Sequence, residues 1–350
     1  MNQHFFFALR SIKFAIEIDR LRHMISEKKS VLFIVNPFSG LGKQQTIHQL
    51  VEKELDPQKW NWDIQLTAYA GHARVLSREA APFYDVIAAV GGDGTVNEVG
   101  SGLVGTNTLM AIIPAGSGNG LARHLRIPLK VNRALQVFNN YQPQAIDVMK
   151  VNDRFSFNVS GVGFDGHISL LFADIKRRGP LAYVKLISME FSKYQAKTYH
   201  IIIDGKSYIK KAFLISFANS TQYGNNVHIA PSAIIDDGLI DICMISDFPK
   251  YTAPALLISL FDQTIDQSKY DDIYLGKEII VESKEHLAVH IDGEPIDTGK
   301  RLHIKIMPLA LNMMVPDANF IQNPIFNQLS DIVPQLVQFT NAIGRKIDIR

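Results

Sequence analysis

Cysteine is almost missing. Cys243 is the single thiol in 350 residues, which excludes an intramolecular disulfide framework and any cysteine-rich zinc module. The eleven histidines show no zinc-ligand spacing that could replace it. An excess of either charge is missing too: 36 Lys and Arg face 34 Asp and Glu, for a net charge of +2. The chain therefore lacks the strong global positive field of a nucleic-acid binder, and no nucleic-acid partner is expected. Basic side chains cluster only locally, at Lys176-Arg177-Arg178 and at Arg123-His124 with Arg126. These are solvated faces, or contacts for phosphate or anionic lipid. Long apolar runs are also lacking. Phe5–Ile18 is broken by Arg10 and Lys13, and Ala253–Phe261 is short, whereas a helical span needs roughly 20 apolar residues. The amino terminus has no basic start and no small-residue cleavage site, so it does not read as a signal peptide. A cytoplasmic location is expected.

What is present is an ordinary globular composition, 47% apolar and 20% charged, at a length that suits two domains. Residues 1–29 predict a helical extension, with Phe5, Leu9, Ile12 and Ile16 near helical spacing among basic side chains. From 30 to 145, buried strands such as Val31–Val35 and Asp85–Val90 alternate with helical stretches such as Gly71–Ala81 and Val96–Leu103. That alternation predicts a parallel sheet covered on both faces. From 146 to 316 short β-rich runs dominate, among them Ile146–Val151, Ala212–Ala218, Leu287–Ile291 and Leu302–Pro308. They predict a β-sandwich with helical insertions at Leu181–Tyr194 and Ala253–Phe261. Residues 317–350 predict a helical tail. The expected fold is an α/β amino-terminal nucleotide-binding domain plus a carboxy-terminal β-sandwich domain.

Three glycine-rich loops each follow a predicted strand: Asn36-Pro37-Phe38-Ser39-Gly40, Gly91-Gly92-Asp93-Gly94-Thr95 and Pro114-Ala115-Gly116-Ser117-Gly118-Asn119-Gly120. In an open α/β sheet such loops converge on the ligand crevice. Glycine lets the backbone approach a phosphate, and the helix amino terminus that follows favours negative charge. One such loop is usually a tight turn; three at sheet ends point to a polyphosphate site. The better-known phosphate motifs are missing. Gly42-Lys43 has Pro37 where a P-loop needs its first glycine and Gln44 where it needs Ser or Thr. Gly91-Gly92-Asp93-Gly94 lacks the spacing of a dinucleotide fingerprint, and Asp93 would repel a bare pyrophosphate. A Mg²⁺-nucleotide suits it better. Gly116-Ser117-Gly118 lacks the frame of a hydrolase elbow.

Gly91-Gly92-Asp93-Gly94-Thr95-Val96-Asn97-Glu98, between Asn36–Gly40 and Gly116-Ser117-Gly118-Asn119, resembles the diacylglycerol kinase catalytic-domain superfamily of lipid kinases. This superfamily includes bacterial diacylglycerol kinases, YegS-like lipid kinases, sphingosine kinases and ceramide kinases. The resemblance continues through Ile146-Asp147-Val148, Arg178–Tyr183, Ala230-Pro231, Asp236–Asp241 and Asp292-Gly293-Glu294, covering about residues 30–316. It implies an ATP- and Mg²⁺-dependent kinase that phosphorylates the hydroxyl of a membrane lipid. Such an enzyme would be peripheral at the membrane surface and would have a lipid substrate as partner; a homodimer is left open. Its rivals are another kinase with this loop, acting on NAD or a sugar phosphate, and a non-catalytic lipid- or nucleotide-binding protein.

By the same resemblance, Asn36, Pro37, Phe38, Ser39, Gly40, Thr67, Gly92, Asp93, Gly94, Thr95, Val96, Asn97, Glu98 and Ser117 line the ATP site. Asp292 is the implied general base, with Asp93 the alternative proton acceptor. Glu294 is implied as a metal-linked neighbour of the base. Asp93 is expected to hold Mg²⁺ at the phosphates, with Asp147 in the same network or on a strand edge. Asp237, with the carbonyls of Ile234 and Leu239, is implied as a second, structural Mg²⁺ site. One departure stands out. Gly120 replaces an acidic residue that many bacterial diacylglycerol kinases carry, which favours a sphingoid base or another long-chain alcohol as acceptor.

Overall fold

A computed structural model describes residues 28–38, 47–173, 186–187 and 189–321. The expected amino-terminal helix falls outside these residues, as do Ser39, Gly40, the Lys176–Arg178 cluster and nearly all of the carboxy-terminal tail.

Four parallel strands form the first unit: β1 (Lys29–Val35), β2 (Trp60–Leu66), β3 (Val86–Gly91) and β4 (Leu109–Pro114). Their order is β2-β1-β3-β4. β3 is buried throughout and β1 from Ser30 onward, which is why both read as continuous apolar runs rather than alternating ones. Helices cover the sheet: α1 (Ile47–Glu54), α2 (His72–Ala80), α3 (Asp93–Leu103), α4 (Gly120–His124) and α5 (Val131–Gln136). The second glycine loop is mostly helix, since Asp93, Gly94 and Thr95 form the first turn of α3 with Gly92 as its cap.

β5 (Tyr141–Val151) leads into the second unit. There β6 (Arg154–Ser156), β7 (Val159–Gly163), β8 (Lys197–Ile203), β9 (Lys206–Ala218), β12 (Ile240–Ser246), β13 (Asp271–Gly276) and β14 (Glu278–Glu282) are joined by the hairpin β15 (Val289–Ile291) and β16 (Glu294–Ile296). A short hairpin, β10 (Gln222–Gly224) with β11 (Val227–His228), stands apart, and α6 (Phe164–Ala173) and α7 (Ala253–Phe261) are inserted. Ile201, Phe217, Ile279, Val289, Leu302 and Ile304 make its core. The architecture is the expected α/β domain followed by a β-sandwich.

The last strand differs from expectation. A strand ending at Pro308 is predicted, whereas β17 runs from Arg301 to Pro316. Its first half pairs with β14 in the sandwich. Its second half returns to the first unit, pairing with β5 and meeting β4 in parallel at Met313↔Met110. Leu311, Met313, Met314 and Val315 are buried in the core of the first unit. Among the described residues, every strand except β10 and β11 joins one hydrogen-bonded sheet of 15 strands. A bulge between Met307 and Leu311 hides this from the sequence, because it breaks the period-two alternation.

Candidate active site

The carboxyl ends of β1 and β3 are neighbours, with Val35 paired to Val90. β1 is central, with β2 on one side and β3 on the other, so the loops leaving its end face a topological switch point. The loops knit together there. The Asn36 N–H donates to the Val90 carbonyl (3.2 Å) and its side-chain amide to Thr95 Oγ1 (3.1 Å). Asn36 Oδ1 accepts the Phe38 N–H at 2.9 Å, and the Thr67 N–H reaches the Val35 carbonyl at 2.9 Å. Together they border a groove of about 280 Å³, lined by Asn36, Phe38, Thr67, Tyr69, Gly94, Thr95, Glu98 and Glu294 among others. Pro37 lies half-buried beside it. Phe38 and Tyr69 are 89% and 61% exposed, so each offers ring surface at the groove. Tyr69 stacks on His72 with centroids 4.5 Å apart, and His72 Nδ1 accepts the Ala68 N–H at 2.9 Å. Sequence reasoning missed Tyr69. The available signal was its position three residues past the carboxyl end of the parallel strand β2.

The predicted loop residues divide by what they touch. Glu98 caps the start of α2, accepting the N–H groups of Gly71 (2.7 Å) and Ala73 (3.1 Å). Asn97 crosses to the second unit, where its amide donates to the Phe155 carbonyl (2.9 Å) and to Asp292 (2.8 Å). Val96 is buried in the first core and its N–H is bonded to the Gly92 carbonyl; its side chain therefore takes no part in the groove. Ser117 is exposed at the tip of the third loop. Gly92 has ordinary extended dihedrals (φ −90°, ψ −171°). The second and third loops touch backbone to backbone here: a Cβ on Gly116 would lie 2.5 Å from Gly92 Cα, which requires glycine at 116, and one on Gly92 would make a tight 3.2 Å contact with Gly116 Cα.

Asp93, the residue expected to hold Mg²⁺, contacts the third loop. Its two oxygens accept the N–H groups of Asn119 and Gly120, both at 2.8 Å, so it clamps the third loop to the start of α3. Burial pushes its pKa above the ordinary carboxylate value; the two backbone donors pull the other way and the Asp292 charge adds to the rise. The departure at Gly120 has a packing cause. A Cβ there would lie 2.3 Å from Asn158 Nδ2 and 2.9 Å from the Tyr223 carbonyl. Asn158 is in turn hydrogen-bonded to Ser220.

Asp292 and Gly293 form a two-residue hairpin turn with φ 49° and 87°, the left-handed pair that an Asp-Gly sequence favours. The Asp292 carboxylate accepts from Asn97 Nδ2 (2.8 Å), Ser156 Oγ (2.7 Å), Phe157 N–H (3.1 Å) and Asn158 N–H (3.0 Å). A carboxylate has about four lone-pair sites, so the position assigned to the general base is filled by structural donors. Of the two carboxylates of the turn, Glu294 is the one that lines the groove, beside Glu98. A Cβ on Gly94 would lie 2.6 Å from Glu294 Oε1. Gly94 thus leaves room for the Glu294 carboxylate against the first turn of α3, where the helix dipole and free N–H groups attract anions.

Asp147 is neither on a strand edge at the surface nor in the Asp93 network. It is fully buried and accepts the N–H groups of Gly238 (2.6 Å) and Leu309 (2.7 Å), fixing the bulge of β17 against the 234–239 loop. In that loop Asp237 is exposed and accepts the Leu239 N–H at 2.9 Å. One carboxylate and two carbonyls are hard donors that suit a cation retaining most of its water. Among the described residues, however, no three acidic, His or Cys side chains converge on a metal position. No helix among the described residues is long and apolar enough to cross a membrane.

The sequence matches the diacylglycerol kinase catalytic domain over residues 30–151 and the YegS C-terminal NAD kinase beta sandwich-like domain over residues 158–315. A "Probable lipid kinase YegS-like" from Pseudomonas savastanoi pv. phaseolicola is 28% identical over 79% of this chain and 91% of its own length. One from Yersinia enterocolitica is 29% identical over 72% and 86%. A crystal structure of a diacylglycerol kinase from Bacillus anthracis str. Sterne superposes with a TM-score of 0.63 at 23% identity, covering 84% of this chain and 99% of that one. A further solved chain from that organism gives 0.70 at 24% identity over 84% and 97%. With both domains matched in order, and with the first two glycine loops and Glu294 meeting at one groove, the chain belongs to the diacylglycerol kinase catalytic-domain superfamily of lipid kinases.

Proposed function

We propose that the protein transfers the γ-phosphate of Mg²⁺-ATP to the hydroxyl of a membrane lipid, working at the membrane surface where that acceptor resides. The observation that carries this reading is the placement of Glu294 against the first turn of α3, in the same groove as Asn36, Thr67 and Thr95. Phosphoryl transfer needs the nucleotide positioned, the phosphate charge neutralised and the acceptor proton removed. The groove supplies a helix amino terminus for the phosphates, and Mg²⁺ arrives with ATP as part of the substrate. Glu294 accepts the proton of the lipid hydroxyl as that oxygen attacks the γ-phosphorus and ADP leaves. Asp292 and Asp93 hold the two faces of the site: Asp292 sets the hairpin turn, and Asp93 clamps the third loop. Gly120 has a packing cause of its own, so the acceptor is proposed only as a lipid alcohol, with sphingoid base and diacylglycerol as arms of the test.

The test is γ-phosphate transfer from Mg²⁺-ATP to diacylglycerol, monoacylglycerol, sphingosine, ceramide and phosphatidylglycerol in identical mixed micelles. NAD and fructose 6-phosphate serve as controls. Transfer to at least one lipid and to neither control is expected. Transfer to NAD or the sugar phosphate alone would replace the lipid reading, and nucleotide binding without transfer to any acceptor would make the protein a binding module.

A further inference from the structure

Behind the Asp292-Gly293 turn lies a buried polar cluster that the reaction above does not use. His290 is 2% exposed and sits on β15, three residues before Gly293. Its Nδ1 accepts the Gly293 N–H at 3.2 Å. That nitrogen therefore carries no proton, and the ring hydrogen is on Nε2, which points at Asp165 Oδ2 3.2 Å away. Asp165, at the start of α6, also accepts from the Tyr223 hydroxyl at 3.1 Å, and its other oxygen accepts the Gly166 N–H at 2.7 Å. Ser216 hydrogen-bonds the same Tyr223 hydroxyl. Gly161 is glycine to make room: a Cβ there would lie 2.1 Å from Asp165 Oδ2 and 3.0 Å from His290 Nε2. Tyr223 belongs to the β10 hairpin, and its carbonyl lies against Gly120 of the third loop. The cluster thus spans from the third glycine loop to the turn that presents Glu294.

We propose that His290 is a positioning residue for phosphoryl transfer: its Nδ1 holds the Gly293 N–H, and with it the turn from which Glu294 enters the groove, while Asp165 and Tyr223 fix the ring from behind. A second tether on the turn has a physical reason. The Asp292 carboxylate anchors one end of the turn through four bonds, but the Gly293 peptide could still rotate, carrying Glu294 with it. Glycine tolerates such rotation more readily than any other residue. A neutral imidazole locked by a carboxylate on its far nitrogen is a directional acceptor for that peptide. The inference rests on the reading of Glu294 as the proton acceptor.

The test separates the two ring nitrogens. His290→Asn offers an oxygen near the place of Nδ1, whereas His290→Gln offers an amide near the place of Nε2 and no acceptor for Gly293. Both are assayed with Mg²⁺-ATP and whichever lipid of the panel above has the highest kcat/KM. His290→Gln should lose kcat by about 10–100-fold, the scale of a misplaced catalytic group, with an unchanged KM for ATP. His290→Asn should recover most of the lost turnover, although both variants lower the melting temperature. Equal kcat in the two variants, or losses that track melting temperature alone, would make His290 a packing residue and overturn the proposal. If His290→Gln does not fold, Tyr223→Phe carries the test, since it removes one donor from Asp165 and keeps the ring. A several-fold drop in kcat is expected there, and wild-type kcat overturns the proposal. Glu294→Gln is the control. Near-wild-type turnover in it would remove the proton acceptor itself, whereas an inactive Glu294→Gln beside a fully active His290→Gln would remove only the role of His290.

Discussion

Asp292 and Glu294 are two residues apart and chemically alike, yet their environments differ: the first is held by four donors and the second lines the groove. The bonds at Asp292 come from Asn97, Ser156, Phe157 and Asn158, between 134 and 195 residues away. No reading of Asp-Gly-Glu as a string could supply them. Asp292→Asn should act mainly on stability. Whichever way the new amide turns, its NH₂ meets a backbone N–H. A buried donor pair left without an acceptor costs roughly 1–3 kcal/mol, read as a lower urea midpoint. Glu294→Gln should leave stability and ATP affinity unchanged and lose about 10²–10⁴-fold in kcat, the usual value of a general base. Lost turnover at unchanged stability in Asp292→Asn, with an active Glu294→Gln, would exchange the two roles. Gly120 makes a second residue-scale case. The sequence showed the departure and the structure shows its cause in Asn158. Gly120→Ala should destabilise by about 1–3 kcal/mol, as overpacking does. Adding Asn158→Ala should return part of that loss. Strictly additive losses in the double variant would rule out the contact as the reason for glycine.

At the scale of elements, legibility followed burial. β1 and β3 are apolar along nearly their whole length because both faces are covered, and such runs stand out in a sequence. The glycine loops were legible for a related reason: the first two follow β1 and β3 and the third follows β4, at the strand ends where a parallel sheet places its ligands. The second half of β17 was not legible. It is assigned to the first unit by pairing with the Tyr141–Ile146 part of β5 and with β4, partners more than a hundred residues upstream, and the bulge held by Asp147 disguises its period. A testable consequence concerns Leu311, fully buried in the core of the first unit although it lies near the end of the sandwich segment. Leu311→Ala should destabilise by about 2–5 kcal/mol, the range for a large-to-small core change. The loss should appear in the nucleotide-binding unit, as faster hydrogen exchange in β4 and β5. Exchange that rises only in β14 and β8 would show that this half of the strand belongs energetically to the sandwich.

For the molecule as a whole, the buried titratable groups set opposing pH dependences. Burial raises Asp271 to about 7, with the charges of Asp266 and Asp272 adding to the effect. Burial likewise raises Asp241 to about 6, with Asp237 adding. Burial lowers His124 to about 4. A carboxyl whose folded pKa lies above its unfolded value of 3.8 makes the folded state bind more protons between those two values. Stability then falls as pH rises through that window and is level above it. His124 works in reverse: the folded state binds fewer protons between about 4 and 6.5, so stability rises with pH there. The two effects offset one another in mildly acidic solution. Above pH 6.5 the histidine is neutral in both states and the Asp271 contribution continues alone. Asp271→Asn removes that contribution. The variant should therefore gain on the wild type as pH is raised from 4 to 8, with the difference in unfolding free energy widening by roughly 2–4 kcal/mol in urea titrations at the two pH values. Parallel stability curves for the two proteins would mean that Asp271 titrates alike in the folded and unfolded chain, and that the carboxylate is solvated where β13 meets β12.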